Sequence, residues 1–442
     1  MFFQLSDLLR PFEDFFKRQA AGGITLVGAT LLALILANSP VSDFYHKFWE
    51  WKFTVGLPGF ELTKSLHFWI NDGLMAVFFF VVGLEIKREF LAGELSSLRQ
   101  AGLPIAAALG GMILPALIYH FLVPEGPQAQ GWGIPMATDI AFALGVIALL
   151  GNRVSRSLAI FLTALAIVDD LGAVVVIAVF YTGSLSGVAL AWGGGLLLLL
   201  FLGNRLGFQS PNYYALIGFA LWVAMLKSGI HASVAGVLIG ATIPVNPRRS
   251  QKQFLDKAEK LIQRFRDIEV IEGPFLREEK LGTLSALEHV CAEAMSPLQR
   301  MEHEMNHWVI FGVMPIFALA NAGIPLDLAD LGPALAHPVT RGVALGLLIG
   351  KPVGIFLFSW VAVRIGVAEL PAGTTWPEIF GIGLLGGIGF TMSLFITNLA
   401  FADPQLIDAA KASIFAASLL AGIAGFALLS FTGKKKSPSA SS

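Results

Sequence analysis

Leu162-Thr-Ala-Leu-Ala-Ile-Val-Asp169-Asp170-Leu-Gly-Ala-Val-Val-Val-Ile-Ala178 sets two adjacent carboxylates in the middle of a run otherwise fit only for lipid. From about Ser157 to Tyr181 there is no other charge. At ~1.5 Å of rise per residue such a run spans the ~30 Å hydrocarbon core with some tilt, and the Asp pair falls near the bilayer centre. Each ionised Asp there opposes insertion by roughly 2.5–3.5 kcal/mol, so a chain that carries two has a use for them, as an ion site or a proton relay. A buried structural salt bridge is the other reading. A bridge needs only one Asp, and helical neighbours point ~100° apart, so one carboxylate can face a cavity while the other meets a partner.

Composition agrees with the membrane reading. Only 14% of the 442 residues are charged and 55% are hydrophobic, with a mean hydropathy of +0.71; soluble domains carry ~25% charged residues. The expectation is an all-α polytopic membrane protein, neither an enzyme nor a cofactor binder. A formal net charge of −1 offers no basic excess for nucleic acid, and the single Cys291 excludes an internal disulfide framework. The first ~20 residues contain Asp7, Glu13 and Asp14 and lack an early apolar core, so they read as a short amphipathic helix on the membrane and not as a cleaved signal peptide.

Apolar segments recur at 20–39, 66–90, 101–122, 131–149, 157–181, 188–204, 211–225, 229–243, 300–322, 341–363, 376–400 and 407–431, which gives twelve expected spans. Lys and Arg gather at Arg10/Lys17/Arg18, Lys87/Arg88/Arg99, Arg153/Arg156, Arg205, 248–300, Arg364 and Lys434–Lys436. With twelve spans these are alternate loops, so both termini are expected in the cytoplasm. The first external loop alternates apolar and polar residues in Trp51–Val55 and Phe60–Thr63 around Gly56-Leu-Pro-Gly59. That pattern suits a β-hairpin, which needs a partner surface to be stable, or equally a plain connector. The stretch 248–300 holds ten Lys/Arg and nine Asp/Glu. Phe254, Leu255, Ala258, Leu261, Ile262 and Phe265, then Leu284, Leu287, Cys291 and Met295, recur at helical spacing and predict two solvated helices without metal or nucleotide motifs.

Two spans are interrupted at mid-membrane. Segment 131–149 carries Ile134-Pro135-Met136-Ala137-Thr138-Asp139, and 376–400 carries Gly386-Gly387-Ile388-Gly389-Phe390-Thr391. Unwound backbone is tolerated at that depth only inside protein or around a water-filled cavity; glycines alone also permit close helix packing. On the charge map the first segment runs inward and the second outward, each as the central helix of a three-helix unit, 101–181 and 341–431. This is the inverted-repeat plan of secondary transporters, with the ion site at the midplane where broken helices meet. Two positive and two negative helix ends then crowd together and need counter-charges. Asp139 can balance the positive ends. Lys351, in the otherwise apolar Leu347-Leu-Ile-Gly-Lys351-Pro-Val-Gly354, can balance the negative ends or pair with a carboxylate of 169/170.

Over nearly its whole length the chain resembles the NhaA-type sodium/proton antiporters. The resemblance rests on Trp69-Ile-Asn-Asp72-Gly-Leu-Met-Ala-Val-Phe-Phe79, Val82-Gly-Leu-Glu85-Ile-Lys-Arg-Glu89, Ala137-Thr138-Asp139-Ile-Ala-Phe, Asp169-Asp170-Leu-Gly, Gly229-Ile-His231-Ala, Lys351-Pro and Gly389-Phe390-Thr391, in that order. It implies Asp170 as main sodium ligand and Asp169 as its neighbour, able to meet Lys351. Thr138 and Asp139 would complete the polar centre between two crossed, broken helices. It implies a pH response in a cytoplasmic funnel, with Asp72, Glu85, His231, Glu302 and His303 at matching positions and His307 nearby. It also implies a bacterial inner-membrane protein whose core, 101–181 with 341–431, rocks against an interface domain. That domain would comprise 1–100 and 188–322, dimerise through the hairpin Trp51–Thr63, and leave 432–442 as a flexible basic tail. The 248–300 insertion is longer than in the shorter members.

The expected activity is exchange of cytoplasmic Na⁺, and also Li⁺, for external protons by alternating access. If both carboxylates, or one carboxylate and Lys351, exchange a proton per cycle, more than one proton enters per sodium expelled, so exchange is electrogenic and slow in acid, where protons hold the site. A passive cation or proton channel would fit the charges too, but two opposed broken helices suit alternating access. An intramembrane aspartyl protease using Asp139 and Asp170 is disfavoured: there is no Gly-Xaa-Gly-Asp run, and Lys351 would spoil a proton-sharing dyad.

Overall fold

Apolar runs that must satisfy their own backbone groups in lipid fold as helices, and this chain is helical almost throughout. A computed structural model describes residues 5–56, 61–248, 250–268, 277–325 and 337–433, with side chains described from residue 21 on, except Leu98. In chain order the elements are α1 (Leu5–Ala37), α2 (Ser42–Glu50), β1 (Lys52–Val55) and β2 (Leu62–Ser65). Next come α3 (Leu66–Ala92) and α4 (Leu98–Leu122), the 3₁₀ segment Pro127–Met136, α5 (Ile140–Leu150) and α6 (Arg156–Phe180). The middle of the chain forms α7 (Gly187–Arg205), α8 (Pro211–Ser228), α9 (Ser233–Thr242), α10 (Gln251–Asp267), α11 (Glu278–Ala294), α12 (Pro297–Trp308) and α13 (Met314–Asn321). The last elements are α14 (Pro338–Arg364), α15 (Trp376–Gly386), α16 (Phe390–Ala400) and α17 (Pro404–Thr432).

Among the described residues seven helices are long and apolar enough to cross a membrane, or nine if each of two bent pairs counts as one span. The chain is a multi-pass membrane protein. The apolar segments 211–225, 229–243 and 300–322 fold as α8, α9 and α12–α13, outside that set of nine. The N-terminal stretch expected as a separate surface helix is continuous with the first apolar segment in α1, whose axis turns by 113° into α2. Side-chain hydroxyls of Ser97, Ser155, Ser186, Ser250 and Ser296 accept backbone N–H groups at the starts of α4, α6, α7, α10 and α12, as N-caps do. Gly229, at φ 89°, ends α8 in the left-handed region.

The hairpin is an antiparallel pair in register Lys52↔Ser65 to Val55↔Leu62. Its strands lie one and two residues beyond the expected 51–55 and 60–63. Trp51 still closes α2 through its N–H to Phe48 O (3.3 Å), and the ladder runs on to Ser65, whose hydroxyl accepts the Phe68 N–H (3.2 Å) and starts α3. The turn, 57–60, lies outside the described residues, as does the tail beyond residue 433. Trp51 and Phe53 are exposed; Trp69 donates its indole N–H to Phe53 O (3.2 Å) and stacks on Trp222.

In the insertion α10 and α11 pair as a helical hairpin. Its inner face is Phe254, Ala258, Leu261 and Phe265 against Thr283, Leu287 and Val290, while Leu255, Ile262, Leu284, Cys291 and Met295 are exposed. The predicted faces are therefore too wide. Polar Thr283 and Lys280 fill the inner face instead, the Lys280 ammonium lying 5.1 Å from the centroid of the Phe265 ring, so part of the apolar set is left outside.

Among the described residues there are three π turns: Trp69–Leu74 in α3, Val309–Val313 between α12 and α13, and Gly346–Gly350 in α14. Such extra residues concentrate at functional positions. Gly350 and Gly354, four residues apart, bring α14 against Pro115 and Gly110 of α4 with no room for a Cβ, the small-residue contact that lets membrane helices approach closely.

Candidate functional site

Both interrupted helices are broken where the sequence places proline, hydroxyl and glycine. The 3₁₀ segment ends at Met136, Ala137 to Asp139 are extended, and α5 begins at Ile140. α15 ends at Gly386 and α16 restarts at Phe390, with a 46° bend. The glycine run serves unwinding and close packing together. A Cβ on Gly387 would lie 2.5 Å from Leu347 O, and one on Gly389 would lie 3.1 Å from Ala137 O.

The two breaks touch. Asp139 N–H donates to Ile388 O (2.6 Å), and the Thr138 hydroxyl donates to Gly386 O (3.0 Å), the carbonyl end of α15. Asp139 Oδ1 accepts the Phe142 N–H (3.1 Å) at the start of α5. Its Oδ2 accepts the Thr391 N–H (3.0 Å) and the Thr391 hydroxyl at the start of α16. One carboxylate thus holds the positive ends of both half-helices, where anions are favoured. Pro135 packs against Gly346, and Ser393 Oγ donates to Ile134 O (2.8 Å).

Lys351 is fully buried directly after its π turn. Its ammonium donates to Met136 O, the carbonyl end of the 3₁₀ segment, and to Asp169 Oδ2 at 2.6 Å. The two alternatives left open for Lys351, a helix end or a carboxylate, are both realised. Asp169 Oδ1 is buried and, among the described residues, accepts no hydrogen bond of ordinary geometry, while the hydroxyl and N–H of Thr138 act on the same carboxylate. The next residue, Asp170, faces elsewhere. No hydrogen bond reaches its carboxylate among the described residues, and it lines a cavity of about 500 Å³ together with Glu85, Arg88, Glu302 and His303. His303 and Met295, also lining it, are exposed, so the cavity connects Asp170 with the surface on the side where α10 and α11 lie. At that mouth Arg88 bonds to Glu302 and, at 2.9 Å, to Glu89. Lys87 donates to Ala241 O and Ile243 O (2.7 and 2.6 Å) at the carbonyl end of α9.

The residues grouped by resemblance as a pH-responsive funnel do not all meet. Glu85, Glu302 and His303 share the cavity with Asp170. Asp72 and His231 pair with each other at 3.3 Å, thirteen residues before Glu85 on α3, a rise of ~20 Å, on the hairpin side. His231 also bonds Ser233 Oγ (2.8 Å). His307 is not among the cavity-lining residues.

Sequence reading passed over several participants. Thr163 lines the same cavity as Asp170; its seven-residue offset, two helical turns, was the available signal. Arg88, legible in the sequence only as a loop charge and a motif member, organises the mouth. The buried Asn71 and Asn321 and the half-buried Asn398 join one network on the hairpin side, scattered over 327 positions without a local pattern. No three His, Cys, Asp or Glu side chains converge as a metal centre among the described residues.

A family model described as Na+/H+ antiporter 1 matches residues 13–429. The chain is 64% identical to "Na(+)/H(+) antiporter NhaA 2" of Syntrophotalea carbinolica over 98% of this chain and 99% of that one. It is 51% identical to "Na(+)/H(+) antiporter NhaA" of Acidithiobacillus ferrooxidans over 97% and 99%, and 49% identical to the protein of the same description from Koribacter versatilis over 96% and 91%. With end-to-end matches at this identity, the chain belongs to the Na⁺/H⁺ antiporter family.

Proposed function

We propose that this protein exchanges cytoplasmic Na⁺, and also Li⁺, for external protons by alternating access at the crossing of its two broken helices. The observation that carries the reading is the contrast within the site: Asp139 and Lys351 are committed to helix ends and to Asp169, while Asp170 stands at the cavity without a hydrogen-bond partner among the described residues. Carboxylate and hydroxyl oxygens suit a hard monovalent cation. Asp170 is the principal ligand, the orphaned Asp169 Oδ1 is the second, and Thr138 adds a hydroxyl beside it.

A proton and a sodium ion compete for the same carboxylates, so acid slows exchange. Sodium arriving through the cavity displaces protons toward the side from which it came, and after the site changes sides protons replace sodium. If Lys351 or Asp169 exchanges a proton together with Asp170, more than one proton enters per sodium expelled, and an inside-negative potential of 100 mV contributes ~2.3 kcal/mol per net charge. Glu85, Arg88, Glu302 and His303 at the mouth form the pH-responsive part.

The chain directions support a pairing of 101–181 with 341–431 as inverted units. α4 runs toward the hairpin side, the first broken helix away from it and α6 toward it; α14, the second broken helix and α17 run the opposite ways. These units form the moving core within twelve spans. Residues 1–100 and 188–322 are the interface domain, and the exposed Trp51 and Phe53 of the hairpin meet a second copy in a homodimer. The protein lies in a bacterial inner membrane, with both termini and the 248–300 hairpin in the cytoplasm, where most Lys and Arg lie.

Proteoliposomes given a sodium gradient should develop counter-directed proton flux and an electrical current, both reversed with the gradient. Exchange without current under any imposed gradient would replace the multi-proton cycle by one-for-one exchange, and sodium flux without proton counter-flow would make the protein a channel.

A further inference from the structure

On the hairpin side, opposite the cavity, four polar side chains from three parts of the chain form one network, with Asn71 and Asn321 buried and His67 and Asn398 half-buried. His67 Nε2 lies 3.1 Å from Asn321 Oδ1. Asn321 Nδ2 donates to Asn71 Oδ1 (2.8 Å) and to Phe317 O (2.9 Å). Asn398 Nδ2 donates to Asn321 Oδ1 (2.7 Å), and Asn71 Nδ2 lies 3.3 Å from the His67 ring nitrogens. Asn321 is fully buried, and its carboxamide meets two neighbours through its oxygen and two acceptors through its nitrogen, so its hydrogen-bonding capacity is used up.

Position separates this cluster from an ordinary packing contact. Asn71 sits within the π turn Trp69–Leu74, and Asn321 ends α13, the helix entered through the π turn Val309–Val313. The end of α13 is pegged by Tyr45 Oη to Leu319 O (2.6 Å) and Asn38 Nδ2 to Ile324 O (2.8 Å). Asn398 belongs to α16, the half-helix that starts at the crossing, eight residues and ~12 Å beyond Phe390. The 2.7 Å bond from Asn398 to Asn321 therefore joins a half-helix of the site to a fixed post, on the side where no cavity-lining residue of the Asp170 cavity lies. All four groups can be neutral, so separating them strands no buried charge, and water entering a new path can satisfy each one. Breaking the Lys351–Asp169 pair has no such exit.

We propose that the cluster of His67, Asn71, Asn321 and Asn398 is a latch that closes the hairpin-side path while Asp170 faces the cavity, and that it opens through the Asn398–Asn321 bond when the site changes sides. The latch rests on the exchange reading and adds to it the residues that hold one of its two states. In a Cys291→Ser background, the pair Asn321→Cys and Asn398→Cys can be joined by oxidation and the crosslink verified by mass spectrometry. Crosslinking should reduce sodium-driven proton flux to background, reversibly with reductant, while sodium binding to the solubilised protein persists; each single cysteine should be insensitive to oxidant. Undiminished exchange by the fully crosslinked protein would reduce the cluster to a static contact and overturn the latch. Independently of transport, Asn321→Ala should speed labelling of Ser393→Cys by an impermeant thiol reagent added from the hairpin side several-fold. Equal labelling in both backgrounds overturns the latch even if no crosslink forms. A parent protein that shows no sodium-driven proton flux strikes the exchange reading alone, and the labelling comparison still decides the latch.

Discussion

The helix crossing and the floor of the cavity are neighbours in the fold and opposites in their chemistry. At the crossing the charges are tied to the fold: Asp139 binds the starts of two half-helices, and Lys351 binds a carbonyl end and Asp169 Oδ2, with Asp169 Oδ1 left over. At the floor Asp170, one residue along from Asp169, has a cavity and, among the described residues, no hydrogen-bond partner. A broken helix in a membrane needs charges to close its ends, and those charges are structural. A transported ion needs a charge left uncommitted. The comparison assigns stability to Asp139 and Lys351 and turnover to Asp170, with Asp169 tied to Lys351 through one oxygen and open to the ion through the other, and substitutions can pull the two properties apart.

The largest separation is expected at Asp170. Asp170→Asn keeps size and polarity, so exchange should fall to background in proteoliposomes while the thermal midpoint stays near that of the parent; a large loss of stability would mean that Asp170 is structural like its neighbour. Lys351→Ala should do the reverse and destabilise the protein by about 3–5 kcal/mol, since removing one partner of a buried pair leaves the other charge uncompensated. Arg at 351 should recover part of that loss. An unchanged melting midpoint in the Ala variant would remove Lys351 from the structural set. Asp139→Ala takes the acceptor from two helix starts, and with each cap worth ~1–2 kcal/mol its cost should be about 2–4 kcal/mol, visible as a lower midpoint. The smallest effect belongs to Thr391→Val, which deletes the hydroxyl bond to Asp139 and spares the N–H bond: about 1 kcal/mol. A Thr391→Val cost as large as that of Asp139→Ala would locate the capping in the hydroxyl alone.

Much of this contrast is legible in the chain. Asp169-Asp170 inside an apolar run, Lys351 inside another, and proline or glycine at two mid-span positions are each expensive in lipid, and expense marks a function. Those residues come together in the structure. Asp72 and His231, grouped with Glu85 by resemblance, lie instead some 20 Å away along α3, because a shared motif does not say at which depth its members sit. The π turns could not be read, since an added residue in a helix leaves no compositional trace. The asparagine network escaped for a related reason: its members are paired only by the long-range fold, and single asparagines in apolar helices carry no period. The insertion shows the limit of periodicity in another way. Leu255 and Ile262 fit the helical spacing as well as Ala258 does, yet they face outward, and the structure fills the contact with Thr283 and Lys280.

The central claim is that Asp170 is the carboxylate that carries the ion. Calorimetric titration of sodium into purified protein tests it most directly, because binding is measured without transport. The parent should bind sodium with protons released on binding, and Asp170→Asn, folded with an unchanged thermal midpoint, should give no binding heat. Sodium binding by Asp170→Asn at the parent's affinity would contradict the claim and move the site to another carboxylate.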